Sequence, residues 1–162
     1  IFIQKNPAIQ LLVPDLLQLF PRAKVIHIYR DPLYIVNSLL IKQYLNPNPK
    51  MVQYGKYKEL YSKSEFTALC LDYVVKTYAE LNKLESSSDF NKKIMSFSYE
   101  NLVLKYEEVT KSLADFLGVK NQVDFNPDTL EMRNKKNFQI DDSDLALFKK
   151  HNELFRKYGY EY

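Results

Sequence analysis

Arg30 and Ser38 are the two residues of this 162-residue chain whose types and spacing are best suited to binding an anion. A guanidinium presents a planar fork of donors that matches the oxygens of a phosphate, and a serine hydroxyl can donate one more hydrogen bond. If a helix begins at Pro32, Ser38 lies ~9 Å along it, so the anion would lie beside the first two turns and not at the helix tip. The alternative is that Arg30 pairs with Asp31 or another nearby carboxylate, and that Ser38 is an ordinary helix serine.

The residues around this pair predict a strand, a tight turn and a helix. The run Lys24–Tyr29 is short and rich in Val and Ile, as is typical of a strand inside a parallel sheet. Asp31 suits the N-cap of the following helix and Pro32 suits its first position, and apolar residues then recur at three- and four-residue spacing. Arg30 is therefore expected at the carboxyl end of a strand, where open α/β sheets bind their ligands.

The composition restricts the class of protein and its partners. Hydrophobic residues make up 46% of the chain and charged residues 27%, which indicates one globular domain over residues 1–162. A net charge of +3 is compatible with an anionic ligand but too small to indicate nucleic acid. No apolar run approaches the ~18 residues of a membrane span and no secretory signal opens the sequence, so we expect a cytoplasmic protein. Cys70 is the single cysteine and falls on a helical apolar stripe, which predicts a core residue.

The remaining sequence predicts two more strands and four more helices. We expect strands at Ile1–Gln4 and Lys93–Tyr99, and helices at 9–20, 63–84, 103–117 and from Asp141 or Ser143 onward. The first of these helices either kinks at Pro14 or begins there with Pro14 at its first position. Ser62 and Glu65 predict a capping box at the start of the longest helix. The tyrosine-rich segment 43–61 is expected to be irregular. It is either a lid over an acceptor site or a surface insertion whose tyrosines pack on the domain.

Several motifs, in this order, resemble those of the sulfotransferase family. They are Lys5-Asn6-Pro7, Phe20-Pro21-Arg22-Ala23-Lys24, the stretch from Arg30 to Ser38, Tyr99-Glu100-Asn101-Leu102 followed by Phe116-Leu117-Gly118, and Tyr158-Gly159-Tyr160. The third resembles the motif with which sulfotransferases bind the 3′-phosphate of their donor. The resemblance to the sulfotransferase family extends over nearly the whole chain.

The resemblance implies a fold, a donor and an acceptor class. The fold would be a P-loop-kinase-like α/β fold, a parallel sheet flanked by helices. The reaction would move a sulfuryl group from 3′-phosphoadenosine 5′-phosphosulfate to a hydroxyl or amine of a small molecule or carbohydrate, without a metal. The family's first strand and phosphosulfate loop would lie before Ile1. We therefore expect the chain to be the C-terminal two-thirds of such a domain and to be inactive alone.

Five positions take family roles when they are matched one by one. Arg30 and Ser38 would bind the donor's 3′-phosphate. Lys5 matches a lysine that in several members reaches the transferring sulfonate, or it is a surface lysine at a strand end. Tyr99 matches a tyrosine near the adenine in some members, or it is buried at a strand end. Arg133 is similar in place to a late basic loop that closes on the 3′-phosphate, although the glycines of that loop are missing and a solvated charge run is the alternative.

The resemblance leaves the catalytic base open. Pro7 stands where cytosolic members carry the histidine base, and His27 and His151 fall in a buried strand and in the last helix. The resemblance then implies a carboxylate base in the N-terminal part of the family's domain, before Ile1, as in sulfotransferases that use Glu. Two further functions stay open: a P-loop kinase-like nucleotide-binding protein with another phosphorylated donor, and a non-catalytic relative that serves as a binding module.

Overall fold

The computed structural model of the protein describes residues 12–46, 56–120 and 138–162, and these residues fall into two compact units. The sheet unit comprises the described residues up to Tyr29 together with those from Ala79 to Lys120. The Arg30 unit comprises the residues from Arg30 to Tyr78 and those from Phe138 to Tyr162. That residues 1–162 form a single domain stays a prediction.

Helices and two strands make up the described part of the chain. In order, the elements are α1 Val13–Leu19, β1 Val25–Tyr29, α2 Pro32–Leu39 with a π-helical turn Leu40–Leu45, α3 Tyr57–Leu60, α4 Lys63–Ser86, a 3₁₀ turn Asn91–Lys93, β2 Ile94–Ser98, α5 Tyr99–Leu104, α6 Tyr106–Leu117, α7 Asp142–Lys149 and α8 Asn152–Arg156. The arrangement is mixed helical with a small parallel sheet, which is compatible with the α/β class.

The two strands pair in parallel, from Val25 opposite Ile94 to Tyr29 opposite Ser98. Both strands therefore end at the same edge of the sheet, and Arg30 directly follows the end of β1, as the sequence predicts. The third expected strand, Ile1–Gln4, lies outside the described residues. The P-loop-kinase-like arrangement of the sheet accordingly stays a prediction.

Apolar side chains from three elements form the core of the sheet unit. Val13 and Leu17 of α1 are buried together with Leu84 of α4 and Ile94 of β2. The helix α1 begins at Val13, so Pro14 lies in its first turn, where the missing N–H of a proline costs no hydrogen bond and the helix is not kinked.

Two predicted helices are each divided in the structure. The helix predicted over 103–117 begins earlier, at Tyr99, because the Ser98 hydroxyl accepts a hydrogen bond from the Asn101 N–H at 3.0 Å and caps α5. Lys105 has a non-helical backbone and separates α5 from α6, which ends at Gly118 with a left-handed φ of 72° as expected. Tyr99 therefore opens a helix, and the prediction that it ends a strand is wrong. The last helix is interrupted between α7 and α8.

The segment predicted to be irregular, 43–61, is partly helical. Most of its described residues belong to the π-helical turn up to Leu45 or to α3, while 47–55 lie outside the described residues. The rings of Tyr44 and Tyr57 pack against the buried Phe66, with centroids 5.3 and 4.9 Å away. Tyr44 and Tyr57 therefore pack on the domain, as expected of a surface insertion and not of a lid over an acceptor site.

The predicted capping box at the start of α4 is present. The Ser62 N–H donates to Glu65 Oε2 at 2.8 Å, and the Glu65 N–H donates to the Ser62 hydroxyl at 3.3 Å. The Ser62 hydroxyl also donates to Glu65 Oε2, at 2.7 Å. This bond first, and then the bond from the Ser62 N–H, lowers the pKa of Glu65, because both favour the ionised carboxylate.

Cys70 lies on the buried side of α4, as predicted, with 5% of its surface exposed. Burial raises the pKa of the Cys70 thiol to about 12. Because the thiolate is the reactive form, we expect the native protein to react with iodoacetamide, near pH 8, about 1000-fold more slowly than the protein unfolded in guanidinium. Mass spectrometry of a time course measures both rates, and equal rates would contradict the buried position.

Candidate functional site

The main chain of Arg30 is held by the hydroxyl of Tyr78. This hydroxyl donates to the Arg30 carbonyl oxygen and accepts from the Arg30 N–H at 3.3 Å. Tyr78 lies in α4 and is only 2% exposed. One hydroxyl thus pairs with both backbone groups of a residue just past the end of a strand, where the sheet no longer pairs them. The starting point of the Arg30 side chain is therefore well defined.

The start of α2 is held by a second tyrosine. Asp31 caps the helix, because its Oδ1 accepts a hydrogen bond from the Leu33 N–H at 2.9 Å, and Pro32 takes the first position. The Tyr162 hydroxyl donates to the same Oδ1 at 2.5 Å and lies 3.3 Å from the Leu33 nitrogen, from which it accepts. Burial first, and then the bond to Asp31, raises the pKa of Tyr162. The phenol therefore stays protonated and able to donate.

The guanidinium of Arg30 lies over the ring of Tyr34, 5.0 Å from its centroid. Tyr34 follows Arg30 by four residues and precedes Ser38 by four, so Tyr34 and Ser38 lie on the same face of α2. Arg30, Tyr34 and Ser38 are each partly buried. The structure thus joins Arg30 to the helical face that carries Ser38 through the ring between them. This set of three residues is called the anion face below.

The hydroxyl of Ser38 differs from several other hydroxyls within the helices. Those of Thr67, Thr77, Thr110 and Ser112 donate to the carbonyl oxygen one turn earlier in their own helix. Ser38 makes no such bond, and its side chain has no hydrogen-bond partner among the residues that the structure describes. Its hydroxyl can therefore donate to a ligand without first breaking a bond to the helix.

A short segment that follows residue 137 is anchored on α2. Asn37 is buried, and its side-chain oxygen accepts a hydrogen bond from the Gln139 N–H at 2.8 Å. The neighbouring Phe138 meets the ring of Tyr34 edge to face, with centroids 5.1 Å apart. These two contacts place Phe138 and Gln139 beside the anion face.

The other predicted site residues lie elsewhere or outside the described ranges. Tyr99 is the partly buried first residue of α5 in the sheet unit. Lys5 and Arg133 lie outside the described residues. His27 is buried in β1, with its Nδ1 3.6 Å from Glu85 Oε1 and 3.5 Å from the Ser96 hydroxyl, as expected of a strand histidine in a core. Among the residues described, no group of three or more His, Cys, Asp or Glu side chains could hold a metal ion.

Sequence reasoning missed four residues that shape this site. Tyr34 had a usable signal, because it lies midway between Arg30 and Ser38 at helical spacing. Tyr78 and Tyr162 gave none, since they are 48 and 131 residues from the groups that they bond. The role of Asn37 depends on a partner 102 residues away.

Comparison with known proteins adds one match. A protein-family model described as the sulfotransferase family matches residues 1–124, a span that includes the positions Lys5, Arg30, Ser38 and Tyr99. No curated protein and no solved structure matches the chain. In the parts of the chain that are described, no helix is both long enough and apolar enough to cross a membrane.

Proposed function

Because the chain belongs to the sulfotransferase family, we propose that it transfers a sulfuryl group from 3′-phosphoadenosine 5′-phosphosulfate to a hydroxyl or amine. In this proposal Arg30 and Ser38 bind the 3′-phosphate of the donor. The observation that carries the proposal is the anion face, where a guanidinium laid over Tyr34 joins the helical face of Ser38, whose hydroxyl has no partner among the described residues.

The chemistry of the anion face suits a dianionic phosphate. Hydrogen bonds between a guanidinium and a phosphate are charge-assisted and can form in pairs, so the guanidinium can bond two phosphate oxygens at once. Tyr34 and Tyr78 restrict the Arg30 side chain and main chain before any ligand binds. Less conformational entropy is then lost on binding, and affinity rises accordingly.

Three other positions take supporting roles in the proposal. Lys5 would place a cation where charge develops on the bridging oxygen of the donor, and Tyr99 would lie near the adenine. Arg133 would add a second guanidinium at the 3′-phosphate. Arg133 precedes Phe138 by five residues, which span at most ~18 Å, and Phe138 packs on Tyr34. Chain length therefore allows Arg133 to reach the anion face. The acceptor would be a small molecule or carbohydrate.

The proposal is tested by calorimetric titration of the protein with adenosine 3′,5′-bisphosphate and, separately, with adenosine 5′-monophosphate. The two ligands differ only in the 3′-phosphate. We expect the bisphosphate to bind at least about tenfold more tightly, because charge-assisted hydrogen bonds contribute about 1.5–3 kcal/mol. Equal affinity for the two nucleotides would refute the assignment of the 3′-phosphate site.

Ser38→Ala is expected to lower the affinity for adenosine 3′,5′-bisphosphate by about five- to tenfold, since one hydroxyl donor to a charged phosphate is lost. Affinity for adenosine 5′-monophosphate should not change. The matched control is Ser112→Ala, which removes a helix hydroxyl that already donates to the Glu108 carbonyl at 2.9 Å. If Ser38→Ala and Ser112→Ala behave alike, Ser38 does not contact the phosphate.

A further inference from the structure

Tyr78 and Tyr162, whose hydroxyls bond Arg30 and Asp31, belong to one aromatic cluster of the Arg30 unit. Tyr78 meets Phe155 and Tyr158 edge to face, with centroids 5.8 and 4.8 Å apart. Tyr162 meets Phe148 and Phe155 at 5.2 and 5.7 Å. Phe148 and Phe155 are fully buried. Because both tyrosines pack on Phe155, the hydroxyl that bonds Arg30 and the one that bonds Asp31 are held at a fixed separation.

Tyr162 is also held through its main chain. Its N–H donates to the Asn152 side-chain oxygen at 3.1 Å, and its carbonyl oxygen accepts from the Asn152 amide nitrogen at 2.8 Å. Two amide hydrogen bonds and two ring contacts leave the Tyr162 side chain little freedom. The direction of its hydroxyl is therefore set by α7 and α8, which carry Phe148, Asn152 and Phe155.

The contact of this hydroxyl with Asp31 has a consequence for the neighbouring arginine. Asp31 is the residue next to Arg30, and a carboxylate there can pair with the guanidinium or repel a bound phosphate. The Tyr162 hydroxyl donates to Oδ1 of Asp31, the same oxygen that caps α2. A hydrogen-bond donor at this oxygen offsets part of its negative charge and keeps the carboxylate turned toward the helix start.

We infer that Tyr162 is a positioning residue for the donor site: through Asp31 and Leu33 it holds the turn at residues 30–33 in the form that presents Arg30 to a 3′-phosphate. The inference rests on the proposed function, since it concerns the same anion. It assigns a role to a residue that lies beyond the span matched by the family model. The raised pKa of Tyr162 agrees with a phenol that donates and does not ionise.

Tyr162→Phe is the direct test, because it removes the hydroxyl and keeps the ring that packs on Phe148 and Phe155. We expect the affinity for adenosine 3′,5′-bisphosphate to fall about three- to tenfold while the affinity for adenosine 5′-monophosphate stays the same. A role in stability alone would instead lower the melting temperature and weaken both nucleotides equally. The ratio of the two affinities is therefore the readout that identifies positioning.

Asn152→Ala tests the same contact from its other end, because it releases the main chain of Tyr162 without touching residues 30–33. It should reduce the ratio of affinities as Tyr162→Phe does, and the double variant should be no worse than either single variant, since both remove one interaction. The matched control is Tyr73→Phe, which removes a phenol hydroxyl from a side chain that is 45% exposed on α4.

A measurement without ligand separates this inference from the proposed function. Hydrogen exchange of the Leu33 amide should be faster in Tyr162→Phe and Asn152→Ala than in the wild type, since one of its two acceptors is lost. If the wild type prefers the bisphosphate and both variants keep that preference in full, the inference is wrong and the proposed function stands. If the wild type shows no preference, both are wrong, even where the exchange result confirms the contact.

Discussion

Arg30→Ala is expected to lower the affinity for adenosine 3′,5′-bisphosphate by about 100-fold and to leave the affinity for adenosine 5′-monophosphate nearly unchanged. The substitution removes a pair of charge-assisted hydrogen bonds, which together contribute about 3 kcal/mol or more. The fold should tolerate the change, because the stacking of the guanidinium on Tyr34 contributes only about 1 kcal/mol. Calorimetric titration gives both affinities, and a melting curve of each variant checks the fold.

Two further variants make this test specific. Arg30→Lys keeps the charge but not the planar fork, so we expect an intermediate loss of about tenfold. Arg22→Ala removes an exposed arginine that precedes β1 and should have no effect on either nucleotide. An Arg30→Ala protein that still prefers the bisphosphate as strongly as the wild type would remove Arg30 from the site and favour a kinase-like or non-catalytic relative.

Phe155→Ala is expected to lower the free energy of unfolding by about 3–5 kcal/mol, the largest stability effect proposed for this chain. Phe155 has no exposed surface and contacts the rings of Tyr78 and Tyr162. Its removal leaves a cavity beneath both hydroxyls that hold residues 30 and 31. The folded fraction should therefore also lose part of its preference for adenosine 3′,5′-bisphosphate over adenosine 5′-monophosphate.

Denaturation in urea, followed by circular dichroism, measures the change in stability. The control is Phe20→Ala, because the Phe20 side chain is 60% exposed and its removal should change stability by no more than about 0.5 kcal/mol. A loss of less than about 1 kcal/mol for Phe155→Ala would mean that the aromatic cluster does not support the start of α2.

Much of the local structure followed from short-range signals. The strand before Arg30, the Asp31 cap with Pro32, the box of Ser62 with Glu65 and the stop at Gly118 are all present. In each case the groups that interact lie within a few residues of one another, so the local sequence is enough to predict the conformation that they stabilise.

The predictions of helix bounds and of tyrosine packing were wrong or undecided where another local hydrogen bond, or a residue distant in the sequence, determined the structure. The apolar spacing over 103–117 is helical, yet the Ser98 hydroxyl starts a helix at Tyr99 and Lys105 interrupts it. In the segment 43–61, the tyrosines alone could not distinguish a lid from a packed surface, because periodicity reports a face and not what covers it. The buried Phe66 decided this for Tyr44 and Tyr57. The roles of Lys5, Tyr99 and Arg133 stay predictions.

By itself the sequence determined the family resemblance, the strand–turn–helix unit and the place of Arg30 at the end of its strand. Only the tertiary structure decided what holds that arginine and the residue after it: a Tyr78 hydroxyl on the main chain of Arg30 and a Tyr162 hydroxyl on Asp31. The physical reason is distance along the chain. A tyrosine ring signals burial, but the group that its hydroxyl bonds depends on how segments 48 and 131 residues apart in the chain pack together.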